Sequence, residues 1–203
     1  SNPQRMKDNV QVHPHVMLDI ETLGTAPGSV ILAVAAVPFG GPSNGLEPFH
    51  KLVDPRSCAA AGMTVDQGTV DWWCARPEEQ RRWIAGCRNA MPVEAVLAWL
   101  SIWWQDHAPG ACAWACGPDF DLAHLAAAYR LCGMAPPWEF WRARDLRTLR
   151  DAAGPARRAA GPARRAAAHD ALADARAQAA EAEHLMHRLS QLHRNQPAMN
   201  RTP

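Results

Sequence analysis

The chain is 203 residues long, 48% hydrophobic and 20% charged, a composition that fits one ordinary domain without structural disulfides and excludes a mostly disordered chain. Its net charge is only +1, so no global basicity advertises nucleic acid and any electrostatic footprint must come from local clustering. No apolar run approaches the roughly 18 residues of a membrane helix, and the polar, Pro- and His-containing start lacks a signal-peptide pattern, which points to a cytosolic protein.

Residues 1–14 and 193–203 are polar and aperiodic and read as loose tails around one domain over 15–192. The short apolar run His15 to Glu21 and the β-rich run Ser29 to Phe39 predict two adjacent strands, and Pro48 to Val53 a third. Thr69 to Trp83 and Pro92 to His107 carry helical spacing, Ala111 to Cys116 is a fourth strand, and Asp119 to Leu131 is again helical. Phe140 to Leu146 predicts a last strand, followed by a short helix, a tandem GPARRAA repeat over 154–167, and a final helix from Asp170 to Leu192. Three strands followed by alternating helices and strands predict a mixed five-stranded sheet flanked by helices, an α/β or α+β domain and not a bundle.

The six cysteines (Cys58, Cys74, Cys87, Cys112, Cys116, Cys132) form no CxxC pair and no zinc-finger spacing, so they read as reduced, mostly buried thiols. Six of the nine tryptophans, Trp72, Trp73, Trp83, Trp99, Trp103 and Trp104, lie in amphipathic segments, where core packing is the commoner use than base stacking.

Asp19 and Glu21 stand two apart at the end of the first predicted strand, so both carboxylates project to one face. Paired acids repel unless a cation neutralises them, and hard ions such as Mg²⁺ take oxygen ligands of this kind. An exposed strand end is an equally good reading of this pair alone. Asp119 and Asp121 compete for a role at a strand-to-helix junction, where α/β sheets commonly place their sites; the helix cap is assigned to Asp119. His169 precedes the last helix, Asp170 suits its N-cap, and Asp174 lies on its first turns.

Taken together, LDIET (18–22), FD (120–121) and HDALAD (169–174) resemble the three motifs of the DEDDh 3′ to 5′ exonucleases of the ribonuclease H-like superfamily. TVDWW (69–73) and RDLRTL (144–149) are similar to accessory segments of the small bacterial and phage exoribonuclease branch. The resemblance covers roughly residues 15–190. It implies a ribonuclease H-like fold, two Mg²⁺ or Mn²⁺ ions held by Asp19, Glu21, Asp121 and Asp174, and His169 as general base. With an ordinary pKa near 6.5, a histidine suits proton transfer near neutral pH. The implied reaction releases nucleoside 5′-monophosphates from the 3′ end of single-stranded RNA. Thr22 and Leu23, beside the metal-binding strand, are the expected contacts to the terminal nucleotide. Homodimers are common among such relatives, although no residue here identifies an interface.

Two departures stand out. Cys116 occupies a position where the family pattern predicts asparagine, which bears on substrate positioning. The GPARRAA duplication adds Arg157, Arg158, Arg164 and Arg165 to a stretch holding Arg142, Arg144, Arg147 and Arg150, against only Asp145 and Asp151. Such a cluster beside an active site supplies phosphate contacts without reading sequence; a solvated repeat expansion is the bland alternative. Rival functions are a single-stranded DNA exonuclease, a non-catalytic nucleic-acid-binding module and a metal-binding regulatory domain. A silent module would usually have lost a ligand, and all five motif positions remain here.

Overall fold

The computed structural model describes residues 14–41, 46–154 and 169–194, so most of both expected tails and of the GPARRAA duplication lie outside it. Five strands, β1 (His15–Thr22), β2 (Ile31–Phe39), β3 (Phe49–Leu52), β4 (Cys112–Ala115) and β5 (Ala143–Asp145), form one sheet in the order β3-β2-β1-β4-β5. The first three pair antiparallel, while β1 with β4 and β4 with β5 pair parallel. Among the described residues seven α-helices flank it: α1 (Pro55–Ala60), α2 (Gln67–Cys74), α3 (Pro77–Gly86), α4 (Val93–His107), α5 (Asp121–Leu131), α6 (Leu146–Ala153) and α7 (Ala171–Arg194). This is the mixed α/β architecture of the ribonuclease H-like fold. No described helix is long and apolar enough to cross a membrane.

Alternation along β1 decides what each face holds. Val16, Leu18 and Ile20 point into a core built with Leu97, Leu100 and Trp104 of α4 and Leu125 and Tyr129 of α5. Met17 points the other way, into a second core with Trp114, Leu146 and the α7 residues Ala175, Ala179 and Leu185. Asp19 and Glu21 continue the Met17 side, so the two acids face α7. That helix buries Ala171, Ala175, Ala179 and Ala182, spaced three or four apart as one helical face requires. Side chains of a single carbon let the helix backbone lie close over the sheet. At its middle, Glu181 takes a two-pronged hydrogen bond from Arg150 of α6, at 2.8 and 2.7 Å.

Several sequence expectations are corrected. The single helix expected over Thr69 to Trp83 is broken, because Pro77 lacks an amide and excludes helical geometry at the residue before it; it instead opens α3. The unanticipated α1 starts at Pro55, with the Asp54 carboxylate accepting from the Arg56 amide at 3.0 Å. The last expected strand begins as a 3-10 turn, Phe140–Arg142, which leaves β5 only three residues, Ala143–Asp145, before Leu146 opens α6. Of the cysteines with described side chains only Cys58 is buried, its thiol pushed up to about 11 by desolvation. Trp73 and Trp104 are buried and Trp72, Trp83 and Trp103 pack partly against the core, but Trp99 is 49% exposed beneath the Lys51 ammonium.

The close seating of α7 gives a test. Ala175→Leu should destabilise the protein by about 1 to 3 kcal/mol in urea denaturation, because the sheet leaves no room for the added carbons. Ala180→Leu, on the exposed side of the same helix, should change stability by less than about 0.5 kcal/mol.

Candidate active site

At the C-terminal end of β1 the structure gathers Asp19, Glu21 and, from the first turns of α7, Asp174: one carboxylate oxygen of each lies within 4.8 Å of the others. Asp121 comes from the other face, as the first residue of α5. The pairing of β1 with β4 ends at Met17 and Trp114; beyond it, the Ile20 amide donates to Oδ1 of Asp121 at 3.3 Å. That bond fixes the fourth acid to the strand that carries the first two.

Burial and mutual repulsion dominate the electrostatics. Desolvation holds Asp19 well above the ordinary carboxylate range, and the charges of Asp121, Glu21 and Asp174 push it the same way. Glu21 is raised to about 8, first by burial and then by Asp174, Asp170 and Asp121. Asp121 is raised to about 7 by burial, against the pull of the Ile20 amide and of Arg147. A compensating contact comes from Gln178, whose Nε2 donates to Oδ1 of Asp19 at 2.8 Å. Its Oε1 is buried and finds no hydrogen-bond partner among the described residues.

These groups line a cleft of about 600 Å³, together with Thr22, Trp72, Trp73, Cys116 and His169. His169 has a left-handed backbone, φ 61°, a conformation that disfavours side chains with a Cβ. Its ring meets Trp72 edge-on at 4.5 Å and Trp73 at 6.2 Å. Arg76 stacks on Trp72, 3.6 Å from the ring centroid, and the Trp73 indole donates to the Thr22 carbonyl at 2.9 Å. The Thr22 hydroxyl donates to the Gly24 carbonyl at 2.7 Å, which closes the turn after β1.

All five motif residues therefore border one cleft. Thr22 does too, whereas Leu23 packs against the core and is bound through its backbone to Val30 and Asp66; it is not among the cleft-lining residues. Arg157, Arg158, Arg164 and Arg165 lie outside the described residues. Asp170 caps α7 as expected, accepting from the Ala173 amide at 3.0 Å. Asp119 does not cap α5: Phe120 occupies that position without a side-chain cap, and the Ala123 amide uses the Pro118 carbonyl at 3.1 Å instead. Gln178 was missed by sequence reasoning, although its place four residues after Asp174 puts both on one helical face.

The comparison with protein families decides the assignment. The model of the 3′-5′ exoribonuclease Rv2179c-like domain matches residues 14–186. The chain belongs to this family. No curated protein matches the sequence. Membership makes this Rv2179c-like domain a nuclease of the exoribonuclease class with nucleic acid as substrate. The matched span includes every strand and the first two thirds of α7, hence the whole carboxylate cluster.

The raised carboxylates make stability pH-dependent. An unfolded glutamate titrates near the ordinary 4.5 but folded Glu21 near 8, so between those values the folded state binds more protons and loses stability as pH rises. Chelator-treated protein should therefore show a falling melting temperature from about pH 5 to about pH 8, with Asp121 adding to the trend. Glu21→Gln should flatten the slope; an unchanged slope would show that Glu21 is already ionised in the fold.

Proposed function

We propose that this domain shortens single-stranded RNA from its 3′ end by hydrolysis of the DEDDh type, releasing nucleoside 5′-monophosphates. The observation that carries the reading is the convergence of Asp19, Glu21 and Asp174, with Asp121 beside them, in a cleft that also holds His169. An all-oxygen donor set of this kind suits Mg²⁺ or Mn²⁺, and cation binding would relieve the repulsion that raises Asp19 and Glu21. The orphaned Oε1 of Gln178 fits the same group, since a hydrated cation brings water molecules that donate hydrogen bonds. Asp19, Glu21, Asp121 and Asp174 would hold two such ions. When bound, these would stabilise the attacking and departing oxygens of an in-line displacement at phosphorus.

The chain's own residues do the rest. His169 accepts the proton of the attacking water at an imidazole nitrogen, as the side chain type best suited to proton exchange near neutral pH. The water oxygen bonds to phosphorus, the P–O3′ bond breaks, and the departing 3′-oxygen takes up a proton from solvent. Trp72, itself held under Arg76, braces one side of His169, which limits its ring orientations. Gln178 holds one oxygen of Asp19, leaving the other for a cation. On this reading the protein acts in the cytoplasm on RNA 3′ ends.

Purified protein incubated with 5′-labelled RNA and Mg²⁺ or Mn²⁺ should produce a stepwise ladder that chelation or Asp19→Asn abolishes. Digestion of single-stranded DNA in preference to RNA would replace the ribose assignment, and no shortening of either would return the domain to a binding module. His169→Ala should slow hydrolysis by about 10² to 10⁴ without weakening Mn²⁺ binding. Gln178→Leu should weaken Mn²⁺ affinity by about 10- to 100-fold in calorimetric titration; wild-type affinity would confine Gln178 to packing.

A further inference from the structure

Four arginines of the arginine-rich stretch fall within the described residues, and three are committed to the protein. Arg142 pairs with Glu139 at 3.4 Å. Arg144 donates from Nη1 to the carbonyls of Trp141 and Ala143, at 3.0 and 2.8 Å. Arg150 grips Glu181 and donates to Cys116 Sγ at 3.1 Å.

Arg147 differs from all three. Its backbone amide is used by the Asp145 cap of α6, but among the described residues no acid pairs with its exposed guanidinium. That group reaches from the end of β5 across to Gly117, just past the end of β4. A Cβ built on Gly117 would lie 2.9 Å from Nη1 and 3.1 Å from Cζ of Arg147, so the guanidinium lies directly against the backbone here and any side chain at 117 would displace it. Gly117 also has φ 109°, which glycine alone adopts without strain. The residue before it, Cys116, and Phe120 and Asp121 after it line the cleft. The guanidinium therefore stands just outside the cleft lining, beside its β4 rim, and the described lining itself carries carboxylates but no arginine or lysine.

We infer that Arg147 is a substrate-contact residue whose guanidinium binds a backbone phosphate of the RNA as the strand enters the cleft along the β4 rim. The inference rests on the exoribonuclease reading of the site. A planar, permanently charged fork matches two phosphate oxygens at once, as a lysine cannot. The contact reads no base, which suits an enzyme that must step along any sequence. A structural role is the alternative: the same charge also favours ionised Asp121, and Asp119 flanks the same glycine.

Binding separates the two roles. In an Asp19→Asn background, labelled single-stranded RNA is titrated by fluorescence anisotropy at several salt concentrations, with and without Arg147→Gln. Arg147→Gln should weaken RNA affinity about tenfold or more and reduce the slope of log affinity against log salt by about 0.7, the loss of one phosphate contact on a single strand. Mn²⁺ affinity, measured with Asp19 intact and without RNA, and melting temperature should change too little to account for that loss, and Arg147→Lys should recover part of the RNA affinity. Unaltered RNA affinity and salt slope would overturn the proposal, as would a fall in Mn²⁺ affinity or stability that accounts for the whole effect. If the wild type binds RNA through Arg147 but never shortens it, the hydrolytic reading fails and this contact stands. If the wild type binds no RNA, the contact fails with it.

Discussion

Crowding four carboxylates at the end of one buried strand is the constraint on which the remaining architecture depends. Burial strips water from Asp19, Glu21 and Asp121, and ionised neighbours raise the cost of ionising Asp19 and Glu21 further; Asp19, which feels the charges of the other three, is held well above the ordinary carboxylate range. A fold can hold such a cluster only by fixing every member from a different direction. Here β1 supplies two acids, α5 supplies Asp121 on a backbone amide, and α7 supplies Asp174 together with the amide of Gln178. The site is strained electrostatically before any substrate arrives, which is what a protein poised to take up a cation would show.

The stability that offsets this strain is spread over both sides of the sheet. On one side, large side chains such as Trp104 and Tyr129 fill a conventional core. On the other, the core is thin and alanine-rich, and its merit is proximity, because bulkier residues there would lift α7 and carry Asp174 away from Asp19. The Arg150–Glu181 pair then ties α7 to α6, with both side chains only about one-fifth exposed. Hydrogen bonds of this two-pronged geometry are the stronger kind of ion pair, so the helix is located laterally as well as vertically.

Much of this was legible in the sequence because it depends on local periodicity. The alternation in HVMLDIE gave both acids one face, and that face is the one α7 covers. The Asp121 junction and the His169–Asp174 spacing could be read in the same way, as could the Asp170 cap. What escaped depends on contacts between distant segments. Gln178 touches Asp19 across 159 positions of sequence, and no local pattern reveals that an amide is needed there. Trp72 packs partly against the core as its spacing suggests, but it also lines the cleft, a second role that hydrophobic spacing does not reveal. Arg150 looked like part of a substrate-binding patch, yet its partner Glu181 lies on another helix. The Asp119 assignment failed because a carbonyl, from Pro118, served the amide that a side chain was expected to serve.

Helix α7 also works as a ruler. Asp174, Gln178 and Glu181 occur at intervals of four and three residues, so one helix face presents a cluster acid, the amide that steadies its neighbour and the anchor to α6 in fixed phase. A single inserted residue would turn everything beyond it by about 100° and bring at most part of that set to the sheet. Substitution along this helix can be gradual, but change in its length cannot. The duplicated heptapeptide at 154–167 precedes His169 in the sequence, outside the interval where that spacing is measured, so its added length leaves the phase of the set untouched.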